Sequence, residues 1–145
     1  MDIQLLPWSE AAEIALPVRM EVFVKEQSVP EDLELDEYDP VATHAVLFED
    51  NLVLGTGRVF QKDLTSHVFY IGRLCVLKKY RGAGYGEYLF KTLIDYAKQQ
   101  GALECRLHAQ MVSQLFYKKF GFLADEDIFM EAGIEHVLMR LAMTK

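Results

Sequence analysis

The chain has 145 residues, 51% hydrophobic and 26% charged, and 15 basic against 22 acidic side chains give a formal net charge of −7. That size and balance suit one soluble domain with a buried core, and the acidic excess disfavours a nucleic-acid partner. No apolar run approaches the ~20 residues that cross a bilayer. The opening stretch Met1–Trp8 lacks the basic start and apolar core of a secretory signal, so we expect a cytoplasmic protein with no membrane partner.

In chain order, Asp2–Pro7 reads as a first strand. Ser9 can cap a helical turn through Ala15, and Pro17 suits the first position of a second helical piece. Val18, Glu21, Val22 and Lys25 continue that piece at helical spacing, and Pro30 stops it. Six acids then fall between Glu31 and Asp39. They read either as a solvated loop or as the rim of a pocket that attracts a cationic amine. Leu33, Leu35 and Tyr38 alternate with the acids and are expected to pack down.

Two strands follow, Thr43–Glu49 and Leu52–Phe60, with Asp50-Asn51 as a tight turn. Gly55 and Gly57 inside the second strand suggest a bulge or a close backbone approach. After a polar turn at Lys62–Ser66 comes a long apolar strand, His67–Leu77. A basic, glycine-rich turn leads from it into an amphipathic helix, Gly84–Gln100, closed by Gly101. Leu103–Ala109 is another strand, Val112–Phe120 a short helix, and Phe122–Phe129 with Glu135–Leu141 a final pair around Ala132-Gly133. The order predicts an α/β chain with a mixed sheet and helices on its faces. Cys75 and Cys105 fall within apolar strands and read as reduced core thiols. No His/Cys group has metal-ligand spacing, so no metal is expected.

Chemistry concentrates in Ile71–Gly86. Successive glycines let the backbone approach a ligand, and a helix start presents free N–H groups to an anion. Lys78, Lys79 and Arg81 add charge beside it. The structural alternative is a tight turn that binds nothing. A Walker loop would end in Gly-Lys-Ser/Thr, but Glu87 and Tyr88 follow Gly86. A dinucleotide fingerprint is excluded because Gly82, Gly84 and Gly86 alternate. The residues do form Arg-x-x-Gly-x-Gly, with Arg81, Gly84 and Gly86. This resembles the pyrophosphate loop of the GNAT superfamily of acetyl-CoA-dependent N-acetyltransferases.

Leu-Cys-Val at 74–76 before the loop, and Phe-Tyr-Lys-Lys-Phe-Gly-Phe at 116–122 after it, match that superfamily in order and spacing over Leu52–Leu141. The runs at 21–27, 34–39, 107–110 and 131–136 are similar to its YjcF/ElaA-like branch of small, single-domain proteins. The resemblance implies a GNAT-like acyl-CoA N-acyltransferase fold over residues 1–145, with acetyl-CoA as co-substrate. Leu74, Cys75 and Val76 would pair their backbone with the pantetheine arm, and Arg81, Gly82, Ala83, Gly84, Tyr85 and Gly86 would wrap the pyrophosphate. Tyr117 matches the tyrosine that protonates the leaving thiolate; its alternative is an interior aromatic. Gln110 stands where many members have a pantetheine-contacting Asn.

The implied reaction is acetyl transfer to a primary amine of a small molecule or peptide, directly within a ternary complex. The alternative is a CoA-binding sensor without turnover. A base must take the amine proton, and Glu26, His44, His108, Glu131 and His136 are the candidates. Glu26 would border the acceptor pocket. Arg73 would either pair with Glu26 or an acid of the 31–39 loop, or anchor a substrate carboxylate. Family members often form homodimers, but no apolar stripe in this sequence demands one.

Overall fold

The structure is a computed structural model that describes residues 2–143. Seven strands form one mixed sheet: β1 (Asp2–Pro7), β2 (Thr43–Glu49), β3 (Leu52–Phe60), β4 (Val68–Val76), β5 (Glu104–Gln110), β6 (Leu123–Glu131) and β7 (Ile134–Ala142). Their order is β1-β2-β3-β4-β5-β7-β6. Every neighbouring pair is antiparallel except β4–β5, which the α3 crossover makes parallel. The helices are α1 (Trp8–Arg19), α2 (Glu31–Glu34), α3 (Tyr85–Gln99) and α4 (Gln114–Lys118). Among the described residues, no helix is long and apolar enough to cross a membrane.

The amphipathic face of α3 seats Leu89, Phe90, Leu93 and Ala97, all fully buried, on the centre of the sheet. Phe90 packs edge-on or tilted against Phe116, Tyr117, Phe120 and Phe122, which locks the α4 segment to α3. The expected close approach in β3 is present. A Cβ on Gly55 would stand 2.8 Å from the Cys75 carbonyl, so only glycine lets β3 lie under α3 and β4 there.

Two local expectations are corrected. Pro17 does not begin a new helix but lies inside α1, whose N-cap is Pro7 rather than Ser9. Pro17 offers no N–H to the preceding turn of α1, and a π-helical stretch, Met20–Glu26, follows directly after α1. The second correction concerns Glu31–Asp39, which turns its acids inward. Glu34 and Asp39 are 2% and 1% exposed, while Leu33 and Leu35 are about half exposed. Three arginines force this inversion. Arg19, fully buried, donates to Glu34 at 2.7 Å and Asp39 at 2.7 Å. Arg58 donates to Asp36 at 2.6 Å and Asp39 at 2.8 Å, and Arg73 reaches Glu34 and Asp36. Buried charge is tolerated only when paired, so the carboxylates leave solvent and the leucines take their place. Glu31, Asp32 and Glu37 remain in solvent, as a solvated loop would have them.

Two stability predictions follow from this network. Asp39→Asn removes the charge shared by Arg19 and Arg58 and leaves the two buried guanidiniums with Glu34 and Asp36 alone. We expect a loss of about 3–5 kcal/mol, read as a lower midpoint in urea denaturation. Acid acts on the same groups. Burial alone would raise the Asp36 carboxyl, but Arg58 and Arg73 overcome it and hold the group at about 2 against 3.8 in the free side chain. Asp39, buried beside Arg19, is lowered likewise. A depressed carboxylate stabilises the fold above its unfolded pKa, and that contribution fades as pH falls from about 4 to about 2. Asp36 alone accounts for about 2 kcal/mol of it. Glu34, raised by burial, contributes nothing to this window, because its stabilisation is already complete below its unfolded value. Denaturation midpoints measured between pH 5 and pH 2 check the sign.

Candidate active site

The parallel pairing of β4 with β5 covers only Val68–Tyr70 against Glu104–Arg106. Beyond Tyr70 the strands diverge, so the β4 edge from Ile71 to Val76 has no β5 partner. β5 itself continues against β7 as far as Gln110. A bulge accompanies the divergence: β3 residues Thr56 and Arg58 pair with Cys75 and Gly72, so one extra β4 residue is inserted. Arg73 occupies it at φ +50°, a conformation that costs a non-glycine residue of order 1–3 kcal/mol. Its guanidinium is held by Glu34 and Asp36 and by the Leu33 and Glu34 carbonyls. Of the two sequence expectations for Arg73, the partner is thus in the 31–39 loop and is not Glu26.

At one end of the cleft lies the glycine turn. Gly82 and Gly84 have φ of +89° and +85°, and no atom lies within 4 Å of where a Cβ would stand on either. Gly84 caps α3 without any side-chain cap, leaving the first-turn N–H groups without acceptors. The Arg81 side chain folds back across the turn, Nε–H donating to the Val76 carbonyl at 2.9 Å and the Nη groups to Glu26 at 2.5 and 2.7 Å. The Arg81 hydrogen bond lowers the Glu26 carboxyl. Glu26 therefore lies beside the glycine turn, away from the cavity at the other end of the cleft, whereas the sequence reading has it border an acceptor pocket. The π-helical stretch that carries Glu26 packs its Val22 and Phe23 with Cys75 and Leu77.

At the other end is a cavity of about 520 Å³. Leu74, Gln110 and Tyr117 line the part nearer the cleft, and His108, Glu131 and His136 another wall. Among the described residues the Tyr117 hydroxyl has no hydrogen-bond partner. Burial, then the nearby Cys75, pushes its pKa up to about 12. Gln110 Nε2–H donates to Gln27 Oε1 at 2.7 Å, bridging β5 to the end of the π-helical stretch. His108 Nδ1–H donates to Glu131 at 2.9 Å, which lowers the Glu131 carboxyl. Nε2 of His108 is left as the acceptor nitrogen of the neutral ring. His136 Nδ1–H donates to the Ile134 carbonyl, with Nε2 3.7 Å from Glu131.

His44 is elsewhere. It is buried on β2, meets the Trp8 ring at a tilt and donates Nε2–H to the Asp39 carbonyl, and burial lowers its pKa. Cys75 and Cys105 are free, buried thiols, and burial raises both to about 12, which makes them poor nucleophiles. Sequence reasoning passed over Lys62, Tyr70 and Gln27, since a polar turn, a strand tyrosine and a helix-end amide carry no motif.

A seven-stranded mixed sheet split between its parallel strands, with a glycine turn entering a helix beside the split, is the acyl-CoA N-acyltransferase architecture. Residues 9–143 match the family described as Acetyltransferase (GNAT) domain. An uncharacterized N-acetyltransferase of Bacillus subtilis, YjcF, is 40% identical over 131 residues, 90% of this chain and 91% of that protein. An acyl-CoA N-acyltransferase from Pseudomonas aeruginosa superposes with a TM-score of 0.87 at 28% identity, covering 97% of this chain and 99% of the other. Escherichia coli ElaA superposes at 0.86 with 25% identity, covering 96% and 97%. The chain belongs to the GNAT acetyltransferase family, in its YjcF/ElaA-like branch.

Proposed function

We propose that this chain transfers the acetyl group of acetyl-CoA directly to a primary amine of a small molecule or peptide, within a ternary complex. The observation that carries the reading is the continuity of the site. One unpaired β4 edge runs from the glycine turn past Tyr117 into the cavity walled by His108. The residues fit acetyl-CoA. The space beside Gly82 and Gly84, the uncapped α3 N–H groups and Arg81 suit a diphosphate, and the open edge of Leu74, Cys75 and Val76 suits the amides of a pantetheine arm. Ala83, Tyr85 and Gly86 complete the turn, and a diphosphate would compete with Glu26 for Arg81. Gln110 keeps an amide at the cleft, tethered by Gln27.

Acetyl-CoA supplies an activated acyl group on a sulfur leaving group. The protein's part is to hold amine and thioester together, to stabilise negative charge on the carbonyl oxygen with a backbone N–H of the β4 edge, and to manage protons. His108 Nε2 takes the amine proton as the nitrogen attacks the carbonyl carbon and the C–S bond breaks. Glu131 holds the imidazole in the tautomer that leaves Nε2 free. Tyr117 donates a hydrogen bond to the departing sulfur, and the proton taken from the amine reaches the thiolate through solvent. No catalytic role remains for Glu26, His44 or Arg73.

Release of CoA thiol during incubation with acetyl-CoA and a panel of primary amines tests the proposal. Turnover supports it. Tight acetyl-CoA binding without turnover on any amine would favour a CoA-binding sensor. His108→Gln should lower kcat by about 10²-fold near neutral pH. The deficit should shrink toward pH 10, because the free amine fraction rises as pH approaches the ordinary amine pKa of about 10. A deficit that stays constant across the pH range would remove His108 as the base.

A further inference from the structure

The cavity's carboxylates do not recruit a cation. Glu34 and Asp36 are paired with arginines, and Glu131 accepts from His108. Around the aromatic end of the cavity, Arg58 is held by Asp36 and Asp39, and Arg106 by Glu104. Lys62 is the exception. Among the described residues its ammonium has no carboxylate within ion-pair distance, yet it lines the cavity. It rests over the ring of Tyr70 at 4.3 Å and of Tyr38 at 5.6 Å.

Those rings belong to a stack. Tyr38 lies on Phe60 with centroids 4.5 Å apart, and Phe60 on its cross-strand partner Tyr70 at 5.7 Å. The stack stands four residues before Leu74 along β4, at the end of the cavity away from the glycine turn. Tyr70 also meets His108 edge-on at 6.5 Å. A flat apolar surface therefore separates an unpaired ammonium from the nitrogen assigned as base.

We propose that the acceptor carries a carboxylate set apart from its amine by an aromatic or apolar spacer. The amine meets His108, the spacer lies against Tyr70 at the end of the stack, and the carboxylate pairs with Lys62. This rests on the acetyltransfer reading and reverses the acceptor charge that the acidic 31–39 stretch suggested. Lys62 is exposed, so the pair it offers a carboxylate is a modest one, placed by the tyrosine rings under the ammonium. The benzyl-spaced amines used below differ only in the group at the far end.

The test compares benzylamine, 4-(aminomethyl)benzoate and 4-(aminomethyl)benzamidine as acceptors at saturating acetyl-CoA, following thiol release and the acetylated product by mass. The benzoate should show kcat/KM about tenfold above the other two, the equivalent of one modest charge pair. Lys62→Met should abolish that preference mainly by raising KM for the benzoate, and Lys62→Glu should transfer it to the benzamidine. Equal rates on the three amines, preference for the benzamidine, or a benzoate preference that survives Lys62→Met would overturn the inference while leaving acetyl transfer intact. Acetylation of Lys62 itself in place of the added amines would also overturn it. Acetyl-CoA binding with no transfer to any acceptor would instead remove the transferase reading, and the inference with it.

Discussion

Tyr117→Phe should lower kcat by about 10²–10⁴-fold and leave acetyl-CoA affinity within about twofold. The substitution deletes one oxygen and preserves the ring, which packs edge-on against Phe90 and Phe116, so the α3–α4 contact survives. With its pKa pushed to about 12 by burial, the phenol keeps its proton throughout the working range. It is a weaker acid than a thiol of ordinary pKa near 8.5. Its service is therefore greatest while the C–S bond is breaking and charge collects on sulfur, an interaction made in the transition state and absent from the ground state. Steady-state kinetics beside a binding titration separate the two effects. A variant with wild-type turnover would reduce Tyr117 to an interior aromatic.

Gly84→Glu should lower acetyl-CoA affinity by about 100-fold or more in a protein that still folds. Two effects combine at φ +85°. A side chain there costs about 1–2 kcal/mol of backbone strain, and a carboxylate enters the space where the α3 N–H groups point. No neighbouring atom is displaced, so cooperative unfolding should persist at a somewhat lower temperature. Gly84→Ala carries the strain without the charge and should lose far less affinity. Equal losses in the two variants would assign the effect to strain and leave the anion site unsupported.

Local signals in the sequence located most of the fold. Apolar runs bounded by turn residues placed all seven strands, and the glycines with helical periodicity placed the turn and α3. The motif-bearing residues Leu74, Arg81, Gly84 and Tyr117 fall along one cleft, because their spacing is set by consecutive elements. Interactions between distant segments were not legible. Arg19, Glu34, Asp39 and Arg58 form a network only once α1, the acidic stretch and β3 are packed, and alternation with leucines pointed the acids the wrong way. Pro17 read as a helix start because a proline inside a helix is expensive, and the π-helical stretch that follows α1 has no composition signal. Glu26, at the end of that stretch, pairs with Arg81 and does not line the cavity of about 520 Å³. Lys62 carries no motif and becomes notable only where the fold sets it on two tyrosine rings without an acid.

Calorimetric titration of the purified chain with acetyl-CoA, with ATP as control, tests whether the cleft between β4 and β5 binds the co-substrate. Micromolar or tighter binding of acetyl-CoA, with no heat from ATP, is the expected result. Absence of acetyl-CoA binding would contradict the account, reducing the glycine turn to a connection between β4 and α3.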